Sequence, residues 1–351
     1  MSSNKIREIR ESIDNYRGTI MSLLAFANEA RWNKKKGQFI EGSQFSLGRA
    51  MNTSDQNRVS PKERVTPDLI VQRTSDYGIV CEAKTCLPPL SDKKETLARY
   101  EECVEQIAKY DDDLQGWLTE DERIPVHDLV LLVDQTRGVP MKRFVQSHSL
   151  VATLGRKFAV VSTARTSQLD DFVNLRKEYG SLTETTLDQS LEDVCSVSIK
   201  HLEGLLAKLK FYDAPPPTPV YTVQILWDHV FLTLADPDVI DAEAKHCEIE
   251  VDSTRLCELL QKLYGTTGVD SRDCRIPDKV WVEEALDFLV ETGDAKRRAD
   301  GTYVITYPLR RRGGGDTEGY FARKAVQITR RKEMQNRAER LKSGDLFEQA
   351  N

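Results

Sequence analysis

The chain lacks any run of about 18 consecutive apolar residues, which excludes a membrane-crossing helix. Its first residues, Met1-Ser2-Ser3-Asn4-Lys5-Ile6-Arg7-Glu8, lack the apolar centre of a secretory signal. The seven cysteines form no Cys-x-x-Cys pair, and seven is an odd number for a disulfide framework. They read as reduced thiols in a cytoplasmic protein. The five histidines are scattered without zinc-ligand spacing. There is no Gly-x-x-x-x-Gly-Lys-Ser/Thr loop, so any use of ATP would fall to a partner. A Gly-x-Ser-x-Gly elbow is missing too, and with it the serine-hydrolase route. No internal repeat or long low-complexity segment interrupts the chain.

What remains is a globular composition, 39% apolar and 30% charged over 351 residues, with two domains as the expectation at roughly 100–200 residues each. The net charge of −6 conceals an asymmetry. Residues 296–342 carry 14 Lys/Arg against 5 Asp/Glu, an excess of +9 on an otherwise acidic chain. Such a block suits a localised anion-binding surface or a solvated helix.

Apolar positions Ile6, Ile9, Ile13, Tyr16, Ile20, Leu23, Leu24 and Ala27 predict one amphipathic helix over residues 5–31. Lys34-Lys35-Lys36-Gly37 closes it. The polar stretch from Asn52 to Ser60 reads as a loop. Leu69-Ile70-Val71 and Ile79-Val80-Cys81 flank Thr74-Ser75-Asp76-Tyr77-Gly78 and predict a β-hairpin. A helix is expected from Lys93 to about Trp117, a buried strand over 128–133, a helix over 141–154 and a strand over 158–161. Residues 169–211 read as mostly helical. This is an α/β layering with a mixed sheet.

Asp213-Ala214-Pro215-Pro216-Pro217-Thr218-Pro219 breaks the chain, since prolines cannot continue a helix or a central strand. The expected organisation is therefore a domain over 1–212, a Pro-rich linker over 213–219, a domain over 220–322 and a basic helical tail over 323–351. In the second domain, helical patterns at 221–235, 253–264 and 277–292 precede a hairpin that turns at Asp300-Gly301. Three helices followed by a hairpin resemble a winged helix, a smaller α+β domain. Gly313-Gly314-Gly315 after Arg310-Arg311-Arg312 reads as a flexible basic loop.

The chemistry lies in the first hairpin. Pro67-Asp68 opens one arm and Glu82-Ala83-Lys84 ends the other, so a turn centred near Ser75 sets Asp68 opposite Glu82. Alternation puts Glu82 and Lys84 on one face, with Cys81, Ala83 and Thr85 on the other. Directly opposed carboxylates, with Cβ atoms about 4.5–5.5 Å apart, repel unless a hard divalent cation sits between them. A lysine beside them can hold a water or a scissile phosphate, which suits metal-assisted phosphodiester hydrolysis. The competing reading of Lys84 is an ordinary salt bridge with Glu82 or Asp68.

Over residues 5–165 the chain resembles the PD-(D/E)XK nuclease superfamily, the restriction-endonuclease-like fold, through Pro67, Asp68, Glu82 and Lys84. Gln106-Ile107-Ala108-Lys109-Tyr110 resembles the Gln-x-x-x-Tyr motif of the RecB-like branch, and its two end residues share one helical face. The resemblance implies a mixed sheet flanked by helices, with Asp68, Glu82 and the Ala83 carbonyl as ligands of Mg²⁺, for which Mn²⁺ can substitute. It implies that Lys84 activates the attacking water and that Gln106 and Tyr110 support the site. An additional acidic residue on the first helix would be Glu29 or Glu41, and the sequence does not choose. Two similar patterns occur elsewhere, Pro237-Asp238 with Glu243-Ala244-Lys245 and Pro277-Asp278 with Asp294-Ala295-Lys296. The first leaves no room for a hairpin and the second encloses a helix.

The expected function is a metal-dependent nuclease, acting on DNA rather than RNA by family habit, in a restriction-like or anti-phage defence role. Its C-terminal domain and basic tail would contact phosphates or dock a protein partner. The alternative is a non-catalytic nucleic-acid-binding or assembly protein on a nuclease-like scaffold. His127 and His148 are expected to be structural. Asp111-Asp112-Asp113 and Glu120-Asp121-Glu122 read as a solvated acidic loop that would repel a phosphate backbone.

Overall fold

A computed structural model describes residues 2–53, 64–117, 119, 122–168, 170–212, 216–235, 246–264, 276–308 and 316–343. The chain divides into two compact units. One holds residues 15–215 and 261–276; the other holds 1–14, 216–260 and 277–351. Among the described residues no helix is long and apolar enough to cross a membrane.

The first unit is a mixed α/β layer. After helix α1 (Ser2–Arg31) come β1 (Gln44–Leu47), β2 (Leu69–Gln72), β3 (Tyr77–Lys84), α2 (Lys94–Ala108), β4 (Val126–Asp134) and α3 (Gln135–Gln146). β5 (Phe158–Gln168), β6 (Asp170–Gly180), β7 (Cys195–Ser198) and α4 (Ile199–Lys208) complete it. The seven strands lie side by side in chain order. β3, β4 and β5 run parallel and the other neighbours antiparallel. β4 is the spine: His127 to Val133 is buried without interruption, as a strand covered on both faces must be.

The crossover helices α2 and α3 share one face because β3, β4 and β5 advance in one direction and such crossovers keep one hand. There Val80, Leu129, Leu131 and Val133 pack with Val104, Ile107, Met141 and Val145. Each such burial stabilises by about 1.5–3 kcal/mol. α1 covers the opposite face, where its Ser22 hydroxyl bonds to Thr163 at 3.0 Å and its Thr19 hydroxyl meets that of Thr85. Met51–Thr53, Arg64–Val65 and Leu114–Gln115 form a separate three-stranded sheet.

Several expectations fail here. Residues 170–180 are a strand rather than helix. Val173 and Leu175 are its buried positions, a period of two obscured by Asn174, Arg176 and Glu178. The helix expected to Trp117 ends at Ala108. Past it, the Asp111 carboxylate accepts the N–H groups of Gly155 and Arg156, both at 2.8 Å, and Asp113 pairs with Arg156 at 2.5 Å. Asp111 and Asp113 therefore clasp a loop and are not merely solvated; Glu120 and Asp121 lie outside the described residues. The helix expected over 141–154 breaks after Gln146, and His148 caps a short helix, Ser149–Ala152, by accepting the Leu150 N–H.

The second unit runs from helical turns Pro219–Ile225, Leu226–Val230 and Phe231–Leu234 to β8 (His246–Val251), α5 (Ser253–Tyr264) and α6 (Lys279–Thr292). β9 (Ala295–Arg297), β10 (Tyr303–Pro308) and α7 (Thr317–Ser343) follow. The middle turns are π-type, and the Trp227 carbonyl there accepts from the Tyr307 hydroxyl at 3.1 Å. β10 lies between β8 and β9, antiparallel to both. The Asp300-Gly301 turn joins β9 to β10, with Gly301 at φ 88° where a side chain would be strained.

Pro219, assigned to the linker, instead opens a helix capped by the Thr218 hydroxyl. Residues 1–14 belong to this unit rather than to an N-terminal domain; Lys5 pairs with Glu333 at 2.6 Å and Arg10 with Asp316. The tail is no separate element either, since α7 starts at Thr317 and buries Phe321, Ala322 and Val326. β8 went unread because His246, Glu248 and Glu250 hide its buried Cys247, Ile249 and Val251. Residues 309–315, including the basic glycine loop, lie outside the described residues, as does the pattern at 237–245. In the other look-alike pattern, Asp278 caps α6, so a whole helix separates it from Asp294.

Candidate active site

β2 pairs with β3 so that Leu69 faces Cys81 and Val71 faces Ile79, and the hairpin closes where Arg73 N–H donates to the Tyr77 carbonyl. One step further along this register, Asp68 stands opposite Glu82. The alternation that sends Ile70 and Val80 into the core under α2 sends Asp68, Glu82 and Lys84 to that same face. Pro67 sets the strand end chemically. The next hydrogen-bonded pair would be residue 67 with Ala83, but proline has no N–H to give the Ala83 carbonyl. The Ala83 N–H instead donates to Asp68 Oδ2 at 2.7 Å. A strand residue's N–H and C=O point to one edge, so the Ala83 carbonyl is directed toward Asp68. The Asp68 carbonyl accepts from Gly48 N–H at 3.1 Å, just past β1.

Asp68 and Glu82 are 3% and 1% exposed. Burying an ionised carboxylate costs several kcal/mol unless partners replace its water. Glu82 finds one partner for each oxygen. Lys84 Nζ donates to Oε1 at 2.9 Å, and the Tyr110 hydroxyl donates to Oε2 at 2.9 Å. Tyr110 comes from the end of the turn after α2, and Gln106, one helical turn earlier, stands with Nε2 3.5 Å from the Tyr110 oxygen. The Thr66 carbonyl lies 3.4 Å from that oxygen, so the phenol proton belongs to the shorter Glu82 contact.

The electrostatics define protonation states. Burial and then the Glu82 charge hold the Tyr110 pKa far above its ordinary value, so it is a donor and never a phenolate near neutrality. For Lys84, burial alone would lower the pKa, but Glu82 and then Asp68 outweigh it and raise it. Lys84 is an ammonium. The salt bridge of Lys84 is therefore made to Glu82, at 2.9 Å.

That donor set fits a hard divalent cation: two carboxylates, one main-chain carbonyl aimed at the same place, and no soft ligand required. Among the described residues no three His, Cys, Asp or Glu side chains gather as a metal cluster. An ion held by Asp68 and Glu82 would keep most of its shell as water, as Mg²⁺ does at two-carboxylate sites.

Neither candidate for the additional acid belongs here. Glu29 is buried and pairs with Lys34 at 3.3 Å. It lies ten residues, about 15 Å, along α1 from Thr19, at the hairpin-turn end where Arg73 bonds to the Ala30 carbonyl. Glu41 is exposed. His127 is structural. Its Nε2 donates to the Tyr110 carbonyl at 2.9 Å, and burial lowers its pKa to about 4. One neighbour escaped the sequence reading. Cys103, on the Gln106–Tyr110 stripe of α2, lies within reach of the Lys84 charge, yet burial pushes its thiol up to about 12. Its spacing of three and seven residues from that pair was the available signal.

No family model matches the chain, and no curated protein or solved structure matches it either.

Proposed function

We propose that this chain is a metal-dependent nuclease of the PD-(D/E)XK kind, hydrolysing phosphodiester bonds of DNA. The observation that carries the reading is the buried pair Asp68 and Glu82 at facing strand ends, with Lys84 and Tyr110 each holding one oxygen of Glu82. Asp68, Glu82 and the Ala83 carbonyl would hold Mg²⁺ or Mn²⁺. When bound, the ion supplies a Lewis acid for the phosphoryl oxygen and lowers the pKa of a bound water. Lys84, as an ammonium, leaves Glu82 Oε1 to orient the attacking water and offset charge on the phosphate. Tyr110 keeps Glu82 Oε2 fixed and Gln106 steadies Tyr110, so the carboxylate plane does not rotate when Lys84 departs.

The order helix–strand–helix–helix–strand–strand supports reading the second unit as a winged helix. A nuclease joined to a recognition unit would serve restriction-like defence. The test is cleavage of supercoiled plasmid in Mg²⁺, Mn²⁺ and EDTA by the wild type and Asp68→Asn. Nicking or linearisation confined to the metal-containing wild-type reactions is expected. Equal cleavage by Asp68→Asn overturns the reading.

A further inference from the structure

The helix preceding the hairpin of a winged helix ordinarily enters the DNA groove. Here that helix is α6, and its charges have the wrong sign. Lys279 is its one cation, against Glu283, Glu284, Asp287 and Glu291, with Asp278 as the cap. Such a surface repels phosphates. The hairpin offers one exposed cation with no ion pair among the described residues, Lys296. Arg297 stands 3.7 Å from Asp287 and Arg298 2.5 Å from Glu250, so both arginines are offset within the unit.

The positive charge lies on α7 instead. Residues 329–339 are exposed at every position. One side of this stretch is tied to its own unit through Lys332–Glu291 at 2.7 Å and Glu333–Lys5 at 2.6 Å. Arg323, Arg330 and Arg337 recur every seven residues, which drifts only about 20° per repeat, so they form one stripe. Fourteen residues of helix make that stripe about 21 Å long. Arg331 lies beside it. Among the described residues, none of these four exposed arginines has an ion-pair, hydrogen-bond or ring partner.

We infer that the second unit meets duplex DNA through the Arg323–Arg330–Arg331–Arg337 face of α7 and keeps α6 away from the phosphates. The inference rests on the nucleic-acid reading above and names the surface that serves it. An acidic protein groove is the weaker fit. A helix docking on protein carries an apolar stripe at three- and four-residue spacing, whereas Met334 and Ala338 are the apolar residues between 329 and 339. Guanidinium groups match phosphate oxygens in geometry as well as charge. Recognition by backbone contacts is insensitive to sequence and steeply dependent on salt.

The experiment measures binding of the full chain to a fluorescent random-sequence duplex in EDTA, across a salt titration. Replacing Arg323, Arg330, Arg331 and Arg337 together by Gln should flatten the slope of log K against log [salt] by about 3.6, at roughly 0.9 per lost phosphate contact. Glu283→Gln, Glu284→Gln and Asp287→Asn together should shift it by less than about 0.5. A wild-type slope in the arginine variant overturns the inference, and so does failure of the wild type to bind the duplex. Steepening in the α6 variant by one contact or more overturns it as well. Metal-dependent cleavage, assayed on the same preparations, separates the two readings. If cleavage persists while the slope is unmoved, only this inference fails. If the slope falls but no preparation cleaves, only the nuclease reading fails.

Discussion

The two units use charge in opposite ways. In the first, Asp68, Glu82, His127 and Asp128 are each 3% exposed or less, and every one has a partner at hydrogen-bond distance. In the second, the pairs Arg298–Glu250, Lys332–Glu291 and Arg297–Asp287 lie among side chains 41–60% exposed. Buried groups are few and individually decisive, because water cannot replace a lost partner. Exposed groups are numerous and individually weak, because solvent and salt screen them, and they act through their sum. The first arrangement is suited to chemistry at a point, the second to attraction over a surface.

The largest effect is expected at Glu82. Glu82→Gln keeps the shape but removes the charge, and cleavage should fall by about 10²–10³-fold, the usual loss on removing one electrostatic group from a reacting centre. Plasmid cleavage rates in Mg²⁺ measure it. A fall below about threefold would mean that this buried carboxylate does no more than a surface one.

His127 gives the next largest effect, through pH. Its pKa is about 4 in the fold, against 6.5 for the ordinary side chain. Between these values the unfolded chain binds a proton that the folded chain refuses, so stability falls as pH drops from 6.5 to 4. The loss approaches about 3 kcal/mol, at 1.36 kcal/mol per pKa unit. Urea unfolding at stepped pH should show this loss in the wild type and not in His127→Gln. Parallel curves for the two proteins would contradict it.

Tyr110→Phe sharpens the comparison at smaller scale. Glu82 Oε2 loses its donor, and a buried acceptor left without a partner costs about 1–3 kcal/mol. The urea midpoint should drop with the m-value unchanged. At the bottom of the scale, Arg298→Ala breaks an exposed pair and should cost less than about 1 kcal/mol, falling toward zero in high salt. A larger, salt-insensitive loss would show that the second unit also depends on individual charges.

How much of this could be read in the sequence follows the same division. The hairpin register was legible because Leu69-Ile70-Val71 and Ile79-Val80-Cys81 announce two strands and Thr74 to Gly78 announces the turn, and alternation then fixes which side chains face. Gln106 and Tyr110 were legible as a four-residue helical pair. Strands β6 and β8 were not, because Arg176, Glu178, Glu248 and Glu250 mask a period of two that has only two or three buried positions. Nor could sequence choose between Glu29 and Glu41. Which end of α1 lies over the strand ends is decided by packing, through contacts such as Thr19 with Thr85, and no local pattern encodes it. The +9 block was visible as a sum. That its hairpin arginines are offset within the unit, while those of α7 are not, depends on three-dimensional neighbours.

The Lys84→Ala variant, assayed for plasmid cleavage in Mg²⁺ and for duplex binding in EDTA, separates catalysis from attraction. Lys84 is held at the site by Glu82 Oε1, which it leaves to act on the water, and it contributes one of many positive charges. Cleavage should be lost while binding stays within about threefold of wild type, since a single charge changes phosphate attraction little. Undiminished cleavage by Lys84→Ala would contradict this and place any hydrolytic activity elsewhere in the molecule.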